Sequence, residues 1–316
     1  MPSPLAVGLG PLALKNPITT ASGTFGYGLE FTDFVDLSTL GGLCTKGLSL
    51  KPHAGNAPPR ICETPAGMLN AIGLQNVGVE VFVREKLPKL MALGATVIAN
   101  VWGDLEEDYV TVVRALEDAE GVAAIELNIS CPNVQRGGML FGNSPPLTRS
   151  LVARVRDATQ RPLIVKLSPN APDLVESARA AREAGADILS LVNTFVGMAI
   201  DPETARPRIS FGTGGLSGPA IRPLAVRMVY QVARALPGTP LMGIGGIAEL
   251  SDVLEFLAAG ATAVQVGTAN FKDPGASGRL VAELDAYCAA RKTSVAALIG
   301  RAHRAGKAGG ESGAEG

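Results

Sequence analysis

The sequence predicts an α/β fold, a single (β/α)8 barrel with long loops at the carboxyl ends of its strands. The chain contains eight short apolar runs typical of strands, most of them followed by an amphipathic stretch typical of a helix. Regular alternation of strand and helix favours a parallel sheet, and eight such units favour a closed barrel. An open doubly wound sheet is the alternative, but no G-x-G-x-x-G pattern follows the first run.

The predicted strands lie in PITTASGT, GGLCTKGL, ATVIANVWG, AAIELNIS, PLIVKLSP, DILSLVNT, PLMGIGGI and TAVQVGTAN. Amphipathic patterns between them predict helices over 104–118, 148–160, 173–184, 219–236 and 250–259. Three connections, 47–77, 131–147 and 195–217, are too long for simple turns and leave the carboxyl ends of strands. Active sites of such barrels lie at that end, so we expect these loops to border a binding site.

Composition limits the class of protein. Residues 1–300 are predicted to form one catalytic domain, and the Gly- and Ala-rich tail 301–316 is predicted to be disordered. The formal net charge of −1 gives no reason to expect nucleic acid or an anionic membrane as a partner. No run reaches the roughly 18 apolar residues of a membrane span, and the N-terminus lacks a signal-peptide pattern, so a cytoplasmic location is expected.

Cysteine and histidine are scarce. The four cysteines form no C-x-x-C pair, so neither a disulfide framework nor an iron–sulfur cluster is expected on this chain. With only two histidines, His53 and His303, no metal site is expected. If the protein needs an acid or a base, histidine offers little to supply it.

Polar side chains follow the predicted strands at the end where barrel pockets form. Asn offers both a hydrogen-bond donor and an acceptor, which suits a flat ligand rich in carbonyl and N–H groups. Turn formation and helix capping are the alternative for any single Asn or Ser, whereas a purely structural lysine would be costly to bury. The set comprises Ser22, Lys46, Asn100, Asn128, Cys131, Lys166, Ser168, Asn193 and Thr194.

Glycine clusters follow the last two predicted strands. GIGGI (residues 243–247) precedes a helical stretch, and QVGTAN contains Gly267 and Thr268. Gly218 stands just before a helix that Pro219 would open. Loops after strands seven and eight form the usual phosphate site of such barrels, although ordinary glycine turns are the alternative. A phosphorylated, planar, amide-rich ligand such as FMN fits this pocket, with Lys166 as the candidate to stabilise charge on the reduced flavin.

These motifs resemble those of class 1 dihydroorotate dehydrogenases, most closely the catalytic subunit of class 1B. The similarity spans nearly the whole chain and rests on NPITTASGTFGYG, TKGLSLKP, ETPAGMLNAIGLQNVG, NISCPN, VKLSPN, VNT, GGLSGPAIRP, GIGGI and VGTANF in this order. The resemblance implies a TIM-barrel flavoprotein, an oxidoreductase that uses FMN to oxidise (S)-dihydroorotate to orotate in pyrimidine biosynthesis. One FMN is expected per chain.

The resemblance also assigns residues to roles. Cys131 matches the catalytic base that removes the carbon-5 proton, while a hydride passes from carbon 6 to FMN. The FMN site would comprise Ser22, Lys46, Gly47, Asn100, Asn128, Lys166, Val192, Gly218, Gly245, Gly246, Gly267 and Thr268. The substrate site would comprise Lys46, Asn70, Ala71, Ile72, Gly73, Leu74, Asn128, Asn133, Asn193 and Thr194. The 131–147 connection, rich in glycine, would act as a lid.

The same resemblance implies partners. Class 1B enzymes are heterotetramers in which a second subunit with FAD and a [2Fe-2S] cluster relays electrons to NAD, around a homodimer of catalytic chains. A class 1A homodimer that reduces fumarate is the alternative within the family. More remote alternatives are a barrel lyase or isomerase acting on a phosphorylated substrate, with Lys166 forming a Schiff base, and a non-enzymatic pyrimidine-binding subunit.

Overall fold

The computed structural model describes residues 3–130 and 138–308. Its strands are β1 (Val7–Leu9), β2 (Leu12–Leu14), β3 (Ile18–Thr20), β4 (Gly42–Cys44), β5 (Ile61–Thr64), β6 (Gly67–Asn70), β7 (Val97–Val101), β8 (Val122–Asn128), β9 (Leu163–Lys166), β10 (Ile188–Leu191), β11 (Phe195–Met198), β12 (Ile200–Asp201), β13 (Arg206–Pro207), β14 (Thr213–Ser217), β15 (Leu241–Ile244) and β16 (Ala263–Val266).

The helices follow the barrel strands or join the accessory segments. They are α1 (Val79–Val81), α2 (Leu87–Ala92), α3 (Glu106–Glu117), α4 (Gly138–Asn143), α5 (Pro145–Arg156), α6 (Leu174–Glu183), α7 (Arg222–Ala235), α8 (Leu250–Ala259), α9 (Ala269–Lys272), α10 (Ala276–Ala290), α11 (Val295–Leu298) and α12 (Arg301–Ala308). Short 3-10 turns cover Leu29–Phe31, Leu37–Thr39 and Pro219–Ile221, and a π-helical turn covers Phe82–Lys86.

The predicted (β/α)8 barrel is confirmed. Eight parallel strands close in the order β3-β4-β7-β8-β9-β10-β15-β16, and β16 pairs with β3 to complete the ring. Each of the eight predicted runs overlaps one of these strands. The strands are short and buried along almost their whole length, as is typical of a parallel sheet covered by helices.

Amphipathic helices pack around the ring as predicted. In α3, for example, Tyr109, Val112, Val113 and Leu116 are buried while Glu107 and Arg114 face outward. Because these apolar positions recur every three or four residues, they form one stripe against the strands. The predicted helical stretches coincide with α3, α5, α6, α7 and α8 to within a few residues.

An accessory sheet over the barrel mouth was not predicted. The connections 47–77 and 195–217, expected to be loops, contribute strands to one antiparallel sheet in the order β11-β14-β6-β5. Its central pairing sets Gly215 opposite Asn70 and Ser217 opposite Met68. Strand signals in β5 and β14 are weak because these segments are short and rich in glycine or polar residues, so local sequence does not reveal a pairing between distant loops.

The first and last described segments lie against the barrel. β1 and β2 form an antiparallel hairpin before the first barrel strand. Residues 301–308, within the tail that was expected to be disordered, form α12, where His303 stacks on Tyr230 and its Nε2 lies 2.9 Å from the carbonyl oxygen of Ala259. Throughout residues 3–130 and 138–308, no helix combines the length and the apolar character needed to cross a membrane.

Candidate active site

A buried lysine stands at the mouth of the barrel. Lys166 is the last residue of β9, only 3% exposed, and its Nζ donates a hydrogen bond to Ser22 Oγ at 3.1 Å. Ser22 follows β3, so the contact joins two strands that are not neighbours in the ring. The sequence placed both residues in one pocket, and the structure brings them together. A lysine buried beside a single hydroxyl retains donor capacity for an anionic or carbonyl-rich ligand.

Amide groups gather beside this lysine. Asn128 ends β8 directly opposite Lys166 in the register of β8 and β9. Asn193 Nδ2 donates to Asn128 Oδ1 at 3.3 Å and to Ser130 Oγ at 2.8 Å, while Asn193 Oδ1 accepts the backbone N–H of Thr194. These contacts hold the ends of β8 and β10 together. The cluster can therefore present oriented amide groups to a ligand that carries both donors and acceptors.

The accessory sheet brings a second part of the predicted substrate site to the same place. Asn70 Nδ2 donates to the carbonyl oxygen of Gly215 at 3.2 Å. A Cβ on Gly215 would lie 2.1 Å from Thr194 Oγ1, so Thr194 packs against the backbone that Asn70 binds. The rest of the predicted segment, residues 71–74, follows Asn70 and includes Leu74 at a φ of 56°. The structure thus joins segments 70–74 and 193–194 through β14.

Lys46 lies at the edge of the site among charged groups. Its backbone N–H donates to the carbonyl oxygen of Gly26, and its side chain is partly buried. Burial is the main cause that lowers the pKa of Lys46 below its ordinary value; the nearby Arg60 guanidinium lowers it further, and the Glu30 carboxylate opposes both. Two cations close together at a pocket edge favour binding of an anion such as a substrate carboxylate.

The glycine loops after β14 and β15 meet at the other side of the mouth. Gly246 has a φ of 76°, and a Cβ there would lie 2.9 Å from the carbonyl oxygen of Gly218 and 2.7 Å from Arg222 Cβ. Only glycine permits this backbone conformation together with so close an approach. Asp252 fixes the same loop, since it accepts the backbone N–H groups of Ala248 and Glu249. Because these glycines have no side chains, a phosphate can come close to the backbone N–H groups of this loop.

The loop after β16 joins the same region. Thr268 Oγ1 donates to Ser217 Oγ at 2.8 Å, which links the end of the barrel to the end of β14. Gly267 lies against Ala21, whose neighbour Ser22 contacts Lys166. Gly245 and Val192 follow β15 and β10, and the Val192 N–H donates to the Ile244 carbonyl. All described residues of the predicted FMN set therefore lie at or beyond the carboxyl ends of barrel strands or of β14.

Two buried polar atoms without a hydrogen-bond partner flank Gly47. They are Asn100 Oδ1, an acceptor, and Trp102 Nε1, a donor. A Cβ on Gly47 would lie 3.0 Å from Asn100 Oδ1 and 3.1 Å from Trp102 Cδ1. The sequence predicted Asn100 and Gly47 but missed Trp102, which is only 4% exposed. Unpaired buried polar atoms destabilise a folded protein. An acceptor and a donor beside Gly47, which has no side chain to fill the space, therefore favour a ligand that carries a matching donor and acceptor.

The sequence also missed a carboxylate beneath the site. Glu126 is fully buried in β8, two residues before Asn128 and therefore on the same side of the strand. The available signal was a charged residue inside an otherwise apolar strand of a parallel barrel. Ser168, by contrast, accepts the backbone N–H of Asn170 at 3.2 Å, which is the turn-forming role considered as an alternative.

Cys131, the expected catalytic base, and Asn133 lie outside the described residues. The described chain stops at Ser130, whose side chain belongs to the Asn128–Asn193 cluster. Across residues 3–130 and 138–308, no group of three or more His, Cys, Asp or Glu residues is arranged to hold a metal ion.

Comparison with known proteins identifies the family. A family model described as dihydroorotate dehydrogenase matches residues 5–287, which is most of the chain. The chain belongs to the dihydroorotate dehydrogenase family. The family resemblance of the sequence motifs is thereby confirmed.

Curated relatives give the same result at the level of individual proteins. The chain is 54% identical to a protein of Citrifermentans bemidjiense over 297 residues, which cover 94% of this chain and 97% of the relative. It is 56% identical to a protein of Geobacter sulfurreducens over 285 residues, covering 90% and 93%. A protein of Pelobacter propionicus is 56% identical over 273 residues, covering 86% and 90%. Each of these dihydroorotate dehydrogenases is named dihydroorotate dehydrogenase B (NAD(+)), catalytic subunit.

Proposed function

We propose that this chain is the catalytic subunit of an NAD-linked dihydroorotate dehydrogenase that oxidises (S)-dihydroorotate to orotate in pyrimidine biosynthesis. Membership of the family and the names of the relatives support this activity. The structural observation that carries the proposal is the barrel mouth at which Lys166, Asn128 and Asn193 meet the 70–74 segment. The class 1A alternative, a fumarate-linked homodimer, is not favoured because the relatives are NAD-linked.

The family implies a flavin-dependent enzyme, and FMN is the flavin we propose. The residues present fit it: the unpartnered Asn100 Oδ1 beside Gly47 suits a ring N–H group, and the Gly218–Gly246 contact suits a phosphate. When bound, FMN supplies the hydride acceptor for the oxidation. Lys166 Nζ, held by Ser22, can stabilise negative charge that collects on the cofactor. The proposed cofactor set is the twelve residues named from the motifs.

The substrate is proposed to lie among the amide groups of Asn70, Asn128 and Asn193, with Thr194 beside them. Amides can read the urea-like edge of the ring because each offers a donor and an acceptor. Lys46, with Arg60 nearby, can balance the substrate carboxylate. Holding carbon 6 in a fixed position contributes to the rate, since orientation removes much of the entropic cost of the reaction. The proposed substrate set also includes residues 71–74 and Asn133.

Cys131 is proposed as the base that accepts the carbon-5 proton. A thiol with an ordinary pKa of about 8.5 is close enough to neutrality to act as a base. The residue follows Ser130, which is hydrogen-bonded to Asn128 and Asn193, so its point of attachment lies at the proposed substrate site. Cys44 does not suit this role, because burial raises the pKa of its thiol well above its ordinary value.

A partner subunit is proposed to carry the electrons onward. The words "catalytic subunit" in the names of the relatives imply a second, electron-transfer subunit in those proteins. For this chain we propose a heterotetramer built on a homodimer of catalytic chains, with FAD and a [2Fe-2S] cluster on the partner. The absence of any C-x-x-C pair in this chain agrees with that division.

Anaerobic reduction of the purified protein tests the activity. The protein should carry a flavin absorbance band or gain one on reconstitution with FMN, and dihydroorotate should bleach it. A colourless chain that takes up no FMN would contradict the cofactor, and a flavin that dihydroorotate leaves oxidised would contradict the substrate. The protein purified with its partner should then be assayed with NAD and with fumarate as electron acceptor. It should turn over dihydroorotate with NAD and not with fumarate.

A further inference from the structure

Glu126 is fully buried and lies beside Asn100 of the proposed cofactor site. Its two oxygens contact four groups that can donate a hydrogen. Oε1 lies 2.7 Å from Asn100 Nδ2 and 3.2 Å from Cys44 Sγ, while Oε2 lies 2.7 Å from Gln265 Nε2 and 2.9 Å from Ser190 Oγ. All four contacts are donated to Glu126, and a carboxylate has enough lone pairs to accept all of them.

This arrangement dictates which way the Asn100 amide points. Asn100 and Glu126 are register partners in β7 and β8, so their side chains are adjacent on one face. Because a carboxylate accepts and cannot donate, the amide must turn its nitrogen toward Glu126. The carbonyl oxygen then points the other way, where it is buried without a partner beside the bare α-carbon of Gly47.

The result is an unpaired acceptor at the place where the proposed ligand binds. A buried acceptor that lacks a partner destabilises the free protein and favours a ligand that brings an N–H group. The isoalloxazine ring of a flavin carries one such group, the imide N–H at position 3. If the Asn100 amide were reversed, its NH2 group would face that N–H, and donor would meet donor.

We propose that Glu126 is a positioning residue that fixes the Asn100 amide with its carbonyl oxygen toward the cofactor, so that the site selects a ring with a free imide N–H. The proposal rests on the proposed flavin function. Glu126 would touch neither cofactor nor substrate and would act only through Asn100. Gln265 serves as an internal comparison, because it donates to the other oxygen of the same carboxylate.

The probe is a pair of flavins, FMN and its N3-methyl derivative, in which the imide N–H is replaced by N–CH3. The full chain is stripped of flavin and titrated with each, and binding is followed by quenching of flavin fluorescence. The native protein should bind FMN at least about tenfold more tightly than N3-methyl-FMN, because the methylated ring leaves Asn100 Oδ1 unpaired. Binding of neither flavin would overturn the cofactor assignment itself, and equal binding of both would overturn the orientation of Asn100.

Two matched variants separate positioning from general stability. Glu126→Met removes both acceptors, so the Asn100 amide is free to turn, and the preference for FMN should fall to within about threefold. Gln265→Met places the same unbranched apolar side chain in the same network but leaves the Asn100–Glu126 contact. It should keep the native preference. If both variants lose affinity alike and both keep the preference, Glu126 has only a structural role and the proposal is wrong.

Two further variants guard against failure to fold. Glu126→Asp keeps the charge but shortens the side chain, so the carboxylate draws away from Asn100 and the preference should fall in the same direction. The exchange variant E126Q/Q265E keeps the charge and the number of hydrogen-bonding groups. Its new amide at position 126 can donate to the new carboxylate at position 265 and still accept from Asn100 Nδ2, so the native preference should return. The proposal would be contradicted if Glu126→Asp kept the full preference for FMN over N3-methyl-FMN. It would also be contradicted if the exchange variant folded but lacked that preference.

Discussion

At the scale of single residues, the site depends on how neighbours set the charge or orientation of a few side chains. Lys46 is the clearest case, because burial and Arg60 lower its pKa while Glu30 raises it. Asn100 is a second case, since its amide takes its orientation from Glu126. Residue types alone predicted that Lys46 and Asn100 belong to the site. They could not predict the lowered pKa of Lys46 or the orientation of the Asn100 amide. Glu30, Arg60 and Glu126 come close to those two residues only when the chain has folded.

The balance at Lys46 predicts a dependence on pH. A lowered lysine pKa means that the cation is lost at a lower pH than for a free lysine, whose pKa is near 10.5. The KM for dihydroorotate should therefore rise along an alkaline limb that begins below that value. Glu30→Gln removes the opposing carboxylate, so the limb should move to lower pH. Steady-state KM measured across the alkaline range provides the test.

Lys46→Arg is the control for this assignment. Arginine stays charged over the whole range, so the alkaline limb in KM should disappear even if binding is weaker. A limb that persists in the arginine variant would belong to another group. A limb that stays in place in Glu30→Gln would mean that Glu30 does not act on Lys46.

The thiol of Cys131 gives a second prediction at this scale. Cys131→Ser replaces it with a hydroxyl that is a far weaker acid, so reduction of the flavin by dihydroorotate should slow by about 100-fold or more at neutral pH. The rate should recover as the pH rises. Stopped-flow absorbance of the bound flavin measures it. Cys62→Ser, a change at the partly exposed cysteine of β5, should leave the rate unchanged, and an unchanged rate in Cys131→Ser would remove the thiol from the mechanism.

At the scale of elements, loops at the ends of strands carry the binding groups, and glycine lets them meet. The sequence predicted the glycine clusters after the last two strands but not the contact between Gly246 and the Gly218 carbonyl oxygen. That contact depends on the approach of the loops after β14 and β15, which local patterns do not encode. The accessory sheet was missed for the same reason, since β6 and β14 are far apart in the chain.

Gly246→Ala tests this contact. A Cβ at 246 would lie within 3 Å of both Arg222 and Gly218, and the left-handed backbone alone costs about 1–3 kcal/mol. The free energy of unfolding should fall, and FMN should be bound much more weakly, whereas riboflavin, which lacks the phosphate, should lose less affinity. Gly238→Ala is the matched control, because Gly238 also has a left-handed φ of 81° but open space around it.

Gly238→Ala should lower the free energy of unfolding by a similar backbone cost and leave flavin affinity intact. Denaturant titration gives the first quantity and fluorescence quenching the second. If Gly246→Ala weakened FMN and riboflavin equally, the loop would not be holding the phosphate.

At the scale of the whole molecule, the closed ring of eight strands makes distant parts of the chain depend on one another. β3, near the N-terminus, pairs with β16 near residue 264, and Thr19 Oγ1 donates to the Val264 carbonyl oxygen. The fold class was predictable because strand and helix periodicities repeat eight times. That the described polar residues at the strand ends would share one face was predictable, because barrels gather their strand ends there, whereas Trp102 and Glu126 were not predicted.

Closure predicts one unfolding event. Trp102, the single tryptophan, is buried beside Gly47 at the mouth, so its fluorescence reports on the site, while far-ultraviolet circular dichroism reports on the outer helices. If residues 1–300 form one domain, the two signals should give coincident denaturant transitions. Separate midpoints would divide the chain into independently stable parts.

The accessory sheet has a consequence for synthesis on the ribosome. β6, which ends at Asn70, gains its partner β14 only when residue 217 has been made, although the four barrel strands nearest the N-terminus are complete by residue 128. The proposed substrate segment therefore cannot reach its final backbone pairing in a nascent half-barrel, however well that half collapses. The chain can therefore become catalytically competent only in the second half of its translation. A 61–74 loop grafted onto another barrel would also need the 195–217 segment with which it pairs.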